Sequence, residues 1–187
     1  MQQMMRLLYW VVALVLTSMM SVYAYAQPSA LPIVRQPVVA NPSAVVEFSM
    51  TSAGSQHTCG LTTTGTVYCW GMNSFGQLGD GSTTDRYSAV AVSMPPSVTF
   101  TSITAGGSHT CGLTSAGAAY CWGANNRGQI GDGSPTNGST ALRTTPVAVS
   151  MPPSVTFTSI TAGGNHTCGL TTYGGVYCWG WNEYGQL

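Results

Sequence analysis

The 187-residue chain is almost uncharged: five arginines, no lysine and five acidic residues give a formal net charge of zero, and 44% of residues are hydrophobic. That balance leaves no electrostatic footprint for nucleic acid or an anionic membrane, and the apolar content excludes a charge-driven disordered chain. The length suits one domain with a core, and abundant Gly, Ser, Thr, Tyr and Trp favour short strands and tight turns over helices.

In chain order, the first segment is a leader. Arg6 precedes the uncharged stretch Leu7 to Ala26, which closes on Ala24-Tyr25-Ala26 before Gln27. A lone positive charge, an apolar run and an A-x-A exit predict a signal peptide over 1–26, and so an exported protein in a disulfide-permissive compartment. A retained anchor is the other reading, since about 20 apolar residues span a bilayer. A short linker over 27–36 follows.

From Pro37 the chain repeats itself, in segments of about 37–88, 89–145 and 146–187. The signature runs His57-Thr58-Cys59-Gly60-Leu61, Gly65, Tyr68-Cys69-Trp70-Gly71, Asn73 and Gly76-Gln77-Leu78. It recurs from His109 to Ile130 and from His166 to Leu187. The histidines are 52 and then 57 residues apart, and the difference falls after Gly-Asp-Gly-Ser, where a loop absorbs it. Within a repeat, alternation predicts one short strand marked by Val98, Phe100 and Ile103. A second runs over His109 to Leu113 and a third over Ala119 to Trp122, with Ser115-Ala116-Gly117 turning between the last two. Short strands with Gly-rich turns at a period near fifty residues are the mark of propeller blades.

Each repeat carries two cysteines ten residues apart: Cys59 and Cys69, Cys111 and Cys121, Cys168 and Cys178. A turn over Thr63 to Gly65 sets Cys59 opposite Cys69 and Leu61 opposite Val67. Opposed antiparallel residues sit about 4.5–5.5 Å apart, within disulfide reach. One disulfide per repeat is therefore expected. The competing reading is zinc, held by the histidine and two cysteines of a repeat, but the spacing lacks the close C-x-x-C knuckle. A catalytic Cys-His pair does not suit a pattern present three times. The three histidines share one repeat position and read as structural, as do Trp70, Trp122 and Trp179, expected to fill space between blades. No cofactor or metal is expected: Asp80-Gly81-Ser82 lacks the carboxylates of a calcium loop, and no helix follows Gly106-Gly107 to cradle a phosphate.

Positions that differ between repeats are the candidate contact residues. After Trp-Gly stand Met72, Ala124 and Trp181, and three residues further Phe75, Arg127 and Tyr184. The variable connections Thr83 to Ser88 and Pro135 to Thr144 add Arg86, Tyr87 and Arg143, all expected on rim loops. Aromatics and arginine at such places are typical interface anchors; tolerant surface drift is the alternative. Asn137-Gly138-Ser139 and Asn165-His166-Thr167 are formal glycosylation sequons.

The string His-Thr-x-x-Leu-Thr-x-x-Gly-x-x-Tyr-x-Trp-Gly-x-Asn-x-x-Gly-Gln-Leu-Gly-Asp-Gly resembles the repeat of the regulator of chromosome condensation (RCC1) family, and the resemblance covers about 37–187. It implies an all-β propeller, usually of seven four-stranded blades. About two and a half are present here, so the ring is expected to be incomplete and its other partners to be the remaining blades of a longer product. The founding member's role as a guanine-nucleotide exchange factor on chromatin fits poorly with export and a missing basic patch. An inhibitor of an exported enzyme, as in a similar propeller that covers β-lactamases, is a further alternative, as is membership of a larger multidomain enzyme or surface protein. The reading preferred from the residues is a non-catalytic, exported module that binds another protein or a surface polymer. It expects no nucleic acid and no membrane contact beyond the leader or anchor.

Overall fold

A computed structural model describes residues 46–134 and 142–187, all within the unit from Pro37 to Leu187. The expected leader, the linker, the start of the first repeat and the Asn137 sequon lie outside the described residues. Among the described residues there are eleven strands and no helix. Strands β1 (Phe48–Ala53), β2 (His57–Thr62), β3 (Val67–Gly71) and β4 (Arg86–Ala91) form one antiparallel meander. A second contains β5 (Ser102–Ala105), β6 (His109–Leu113), β7 (Ala119–Gly123) and β8 (Arg143–Ala148). A third contains β9 (Phe157–Ala162), β10 (His166–Thr171) and β11 (Val176–Gly180). The fold is all-β, with propeller-type blades.

The central hairpin of each sheet has the expected register: Cys59 faces Cys69 and Leu61 faces Val67, and the other two repeats pair their cysteines alike. The hairpins turn at Gly65, Gly117 and Gly174, whose φ values of 82°, 77° and 80° lie in the left-handed region that favours glycine because it has no Cβ. The threonine side chain ahead of the turn helps to close it, accepting the Ala118 N–H on Thr114 Oγ1 at 3.1 Å.

Two expectations about strands are corrected. The first strand of the second repeat begins at Ser102, not near Val98. Val98 N–H closes a turn onto Pro95 C=O, Ser97 has a φ of 62°, and Phe100 N–H bonds to Gly65 C=O of the neighbouring sheet instead of a ladder of its own. The second correction is a fourth strand where a variable loop was expected. β4 and β8 carry the first two sheets to Ala91 and Ala148, past the repeat boundaries at 88 and 145. They alternate weakly because neither face is well buried, and this hid them.

The sheets stack face to face through the constant residues. Within the second repeat Phe100 packs on Gly112, where a Cβ would sit 2.7 Å from its ring, and stacks on Trp122 at 5.9 Å with 19° between planes. This aromatic pair is buried together with Cys59, Leu61 and Val67 of the first sheet. Cys59, Leu61, Val67, Cys69, Leu78, Ile103 and Trp122 form one buried cluster spanning the first two sheets. Burying such a side chain contributes about 1.5–3 kcal/mol. Polar groups cross the same seam. Thr110 Oγ1 donates to Gln77 C=O at 2.9 Å and lies 2.8 Å from His57 Nε2, while Ala105 N–H donates to Ser52 Oγ at 2.9 Å. The second seam copies it. Thr167 Oγ1 donates to Gln129 C=O at 2.8 Å and lies 2.9 Å from His109 Nε2, and Ala162 N–H reaches Thr104 Oγ1 at 3.1 Å. On the far face of the third sheet Leu170 is 41% exposed and Val176 64%, where their counterparts Leu113 and Ala119 are 4% and 5%. Nothing among the described residues packs there.

Candidate partner-binding rim

The segment after each Trp-Gly is a loop whose frame is constant and whose tip varies. Asn73 is fully buried: its Oδ1 accepts Leu78 N–H at 3.0 Å, and its Nδ2 donates to Asp80 Oδ1 and Ser82 C=O, both at 3.1 Å. Asn125 accepts Ile130 N–H at 3.0 Å and Asn182 accepts Leu187 N–H at 3.0 Å in the same way. The glutamine two residues past the tip then accepts the tip's own N–H. Phe75 bonds to Gln77 Oε1 at 2.9 Å, Arg127 to Gln129 Oε1 at 2.8 Å and Tyr184 to Gln186 Oε1 at 3.0 Å. An asparagine and a glutamine therefore hold three different side chains in one backbone setting. All three tips are exposed, Phe75 at 38% and Tyr184 at 78%.

The structure brings some of the other candidate residues together and separates the rest. Arg127 lies over the Trp181 ring with its guanidinium carbon 5.6 Å from the centroid, and Trp181 meets Tyr184 edge to face at 5.2 Å. Met72 is half-buried, and Ala124 is buried against the sheet, so neither stands out from the loop. Arg86, Tyr87 and Arg143 are not on rim loops: they lie on β4 and β8. Arg86 Nη2 pairs with Asp80 Oδ2 at 2.7 Å and Arg143 Nε with Asp132 Oδ2 at 2.6 Å, tying each Gly-Asp-Gly-Ser loop to the outermost strand. Tyr87 points fully into solvent.

Asp80 and Asp132 have pKa values below the ordinary carboxylate range. Burial pushes each up, and hydrogen bonds from Ser82, Arg86 and Asn73, or from Ser134 and Arg143, pull each down by more. Sequence reasoning missed this Asn-Asp-Ser-Arg knot, although Gly-Asp-Gly-Ser followed by an arginine occurs in both complete repeats.

The six cysteines form three disulfides, Cys59–Cys69, Cys111–Cys121 and Cys168–Cys178, with Cα atoms 4.1 Å apart in each. Sulfurs joined to each other are not thiolate ligands, and among the described residues no three His, Cys, Asp or Glu side chains converge closely enough to hold a metal ion. Each short loop should stabilise the fold by about 2–3 kcal/mol. Digestion without reductant should yield Cys111 linked to Cys121 by mass spectrometry; free thiols or links between repeats would contradict this pairing.

Sequence models described as the regulator of chromosome condensation (RCC1) repeat match residues 51–77, 100–129 and 157–186, and another of the same description matches 116–170. The chain belongs to the RCC1 repeat family. Its RCC1 repeats are 31% identical over 142 residues to the ultraviolet-B receptor UVR8 of Arabidopsis thaliana, covering 76% of this chain and 31% of the receptor. They are 33% identical to the probable E3 ubiquitin-protein ligase HERC4 of Homo sapiens, across 76% of this chain and 13% of the ligase. Among solved structures, Prp20p of Saccharomyces cerevisiae, described with its binding to Gsp1p and histones, superimposes with a TM-score of 0.63 at 26% identity. That match covers 73% of this chain and 34% of Prp20p. The chain thus spans between about a tenth and about a third of the length of these relatives.

Proposed function

We propose that these repeats form an exported, non-catalytic module that binds another protein through the tips of its Trp-Gly loops. The observation that carries this reading is the contrast between a constant loop frame and its variable tips, with Phe75, Arg127 and Tyr184 pinned by Gln77, Gln129 and Gln186. Tips whose backbone is already ordered lose little entropy on docking, and aromatic and arginine side chains carry most of the energy of typical interfaces. Export is supported by the apolar leader with its small-residue exit and by one disulfide per repeat, a pairing at home in an oxidising compartment. A family relation to Prp20p, a propeller whose partners include the proteins Gsp1p and histones, supports protein as the partner class.

The test is the combined variant Phe75→Ala, Arg127→Ala and Tyr184→Ala. These exposed positions should change stability by no more than about 0.5 kcal/mol each. The variant should lose the proteins that the intact chain retains from the exported fraction, quantified by mass spectrometry. An unchanged set of retained proteins refutes rim binding.

A further inference from the structure

Resting on that reading, we infer that the Arg127–Trp181–Tyr184 platform takes an acidic peptide segment, with a carboxylate on Arg127 and a neighbouring apolar side chain on Tyr184. Three arginines lie among the described residues. Arg86 and Arg143 are held in ion pairs with Asp80 and Asp132, whereas Arg127 is exposed and has no carboxylate partner among the described residues. What holds Arg127 is the Trp181 ring, 5.6 Å from its guanidinium carbon. A cation–π contact of this kind draws the guanidinium toward the indole and uses none of its N–H donors. The fork is thus held at the rim with its donors open to a carboxylate, which it matches two bonds at a time.

The surroundings narrow the ligand. Tyr184 meets the indole edge to face at 5.2 Å and is 78% exposed, so an apolar surface stands next to the cation. Phe75, 38% exposed, occupies the equivalent tip one repeat earlier than Arg127. Along the rim the tips read apolar, cation, aromatic, the complement of an acidic residue flanked by apolar ones. A nucleic acid is disfavoured because its affinity comes from many phosphate contacts, and this surface offers one open cation. A uronic-acid polymer has the carboxylate, but Arg127 lies over the Trp181 ring and Tyr184 meets it edge to face, which leaves less of the ring to stack a sugar. Glu183, exposed next to Tyr184, disfavours a run of acids, so a single carboxylate is selected.

A peptide array tests this with the whole chain as probe. Its spots carry Leu-Glu-Leu, Phe-Glu-Leu, Leu-Asp-Leu and Phe-Asp-Leu cores in Gly-Ser spacers, the matching Gln and Asn peptides, and polygalacturonate. Acidic peptides should be retained about tenfold over their amides, as expected for one charge-assisted contact. Arg127→Gln should abolish that preference and Tyr184→Ala should weaken retention, each with an unchanged melting curve. Equal retention of acids and amides, or an acid preference surviving in Arg127→Gln, overturns the proposal while leaving the rim as a binding surface. Retention of polygalacturonate alone overturns it in favour of a polymer. Silence at every peptide spot also overturns it, and together with an unchanged protein set for the triple variant removes the module reading as well.

Discussion

Between pH 6.5 and about 4 the protein is expected to lose several kcal/mol of stability, and the loss comes from the two seams between sheets. In each seam a threonine gives its single hydroxyl proton to a backbone carbonyl, Thr110 to Gln77 and Thr167 to Gln129. The same oxygen must then accept from the histidine, which assigns the proton of His57 and His109 to Nε2 and leaves Nδ1 bare. Both Nδ1 atoms are buried without a partner among the described residues. Burial lowers the pKa of His57 from 6.5 to about 4. Burial, then repulsion from His57 and His166, does the same to His109.

The folded values lie below the unfolded one, so between the two the unfolded chain binds more protons and stability rises with pH. The contribution is complete above pH 6.5, falls away as the pH drops, and is gone below about 4. At about 1.36 kcal/mol per pH unit this is on the order of 3 kcal/mol per histidine. The lowered pKa values of Asp80 and Asp132 add a separate loss, confined to pH below their ordinary 3.8. Urea midpoints at pH 7, 5.5 and 4 check the sign, and His109→Gln should flatten the slope. A midpoint constant down to pH 4.5 would show that the seam histidines are not the titrating groups.

Replacing the tryptophans one at a time is expected to give unequal costs although they occupy one repeat position. Trp122 is fully buried: Phe100 stacks on one face, and Gly79, from the loop of the previous repeat, lies so close that a Cβ there would be 2.7 Å from Nε1. Trp122→Ala should cost about 3–5 kcal/mol, the loss of a large ring plus a cavity. Its Nε1 has no partner among the described residues, so no hydrogen bond is lost with it. Trp70 and Trp179 are half-buried and should each cost about half as much in this chain. Trp179 Nε1 donates to Gln129 C=O at 3.0 Å, but that carbonyl keeps the Thr167 hydroxyl after the ring is removed. Urea unfolding of the three variants measures the order; equal costs would mean that the covering loop contributes nothing.

The candidate site was only partly legible in the sequence. Phe75, Arg127 and Tyr184 stand out because they vary inside a constant string, and the structure places all three at exposed loop tips. Arg86 and Arg143 looked equivalent to Arg127, because an arginine in a variable segment carries no mark of its partner. Their carboxylates, Asp80 and Asp132, belong to the constant Gly-Asp-Gly-Ser string, and only the recurrence of an arginine after that string pointed to an ion pair. The fourth strand was missed for a related reason. An outermost strand buries too little of either face to alternate clearly, so its pairing with β3 or β7 is visible only in three dimensions.

What the sequence alone determined is local or repeated: the hairpin register, the pairing of cysteines ten residues apart, the turn glycines and the family. These follow from neighbours on one hairpin, where alternation and turn chemistry suffice. Only the tertiary structure decided which tryptophan is sealed, which arginine stays open and which histidine loses its charge. The tryptophan and the histidines depend on contacts between residues of different repeats, such as His57 with Thr110 or Gln129 with Trp179, at separations of 53 and 50 residues. The arginines are instead sorted by ion pairs inside a repeat, Arg86 with Asp80 and Arg143 with Asp132. No local pattern encodes a contact between repeats, because burial comes from the neighbouring sheet and not from the strand that carries the residue.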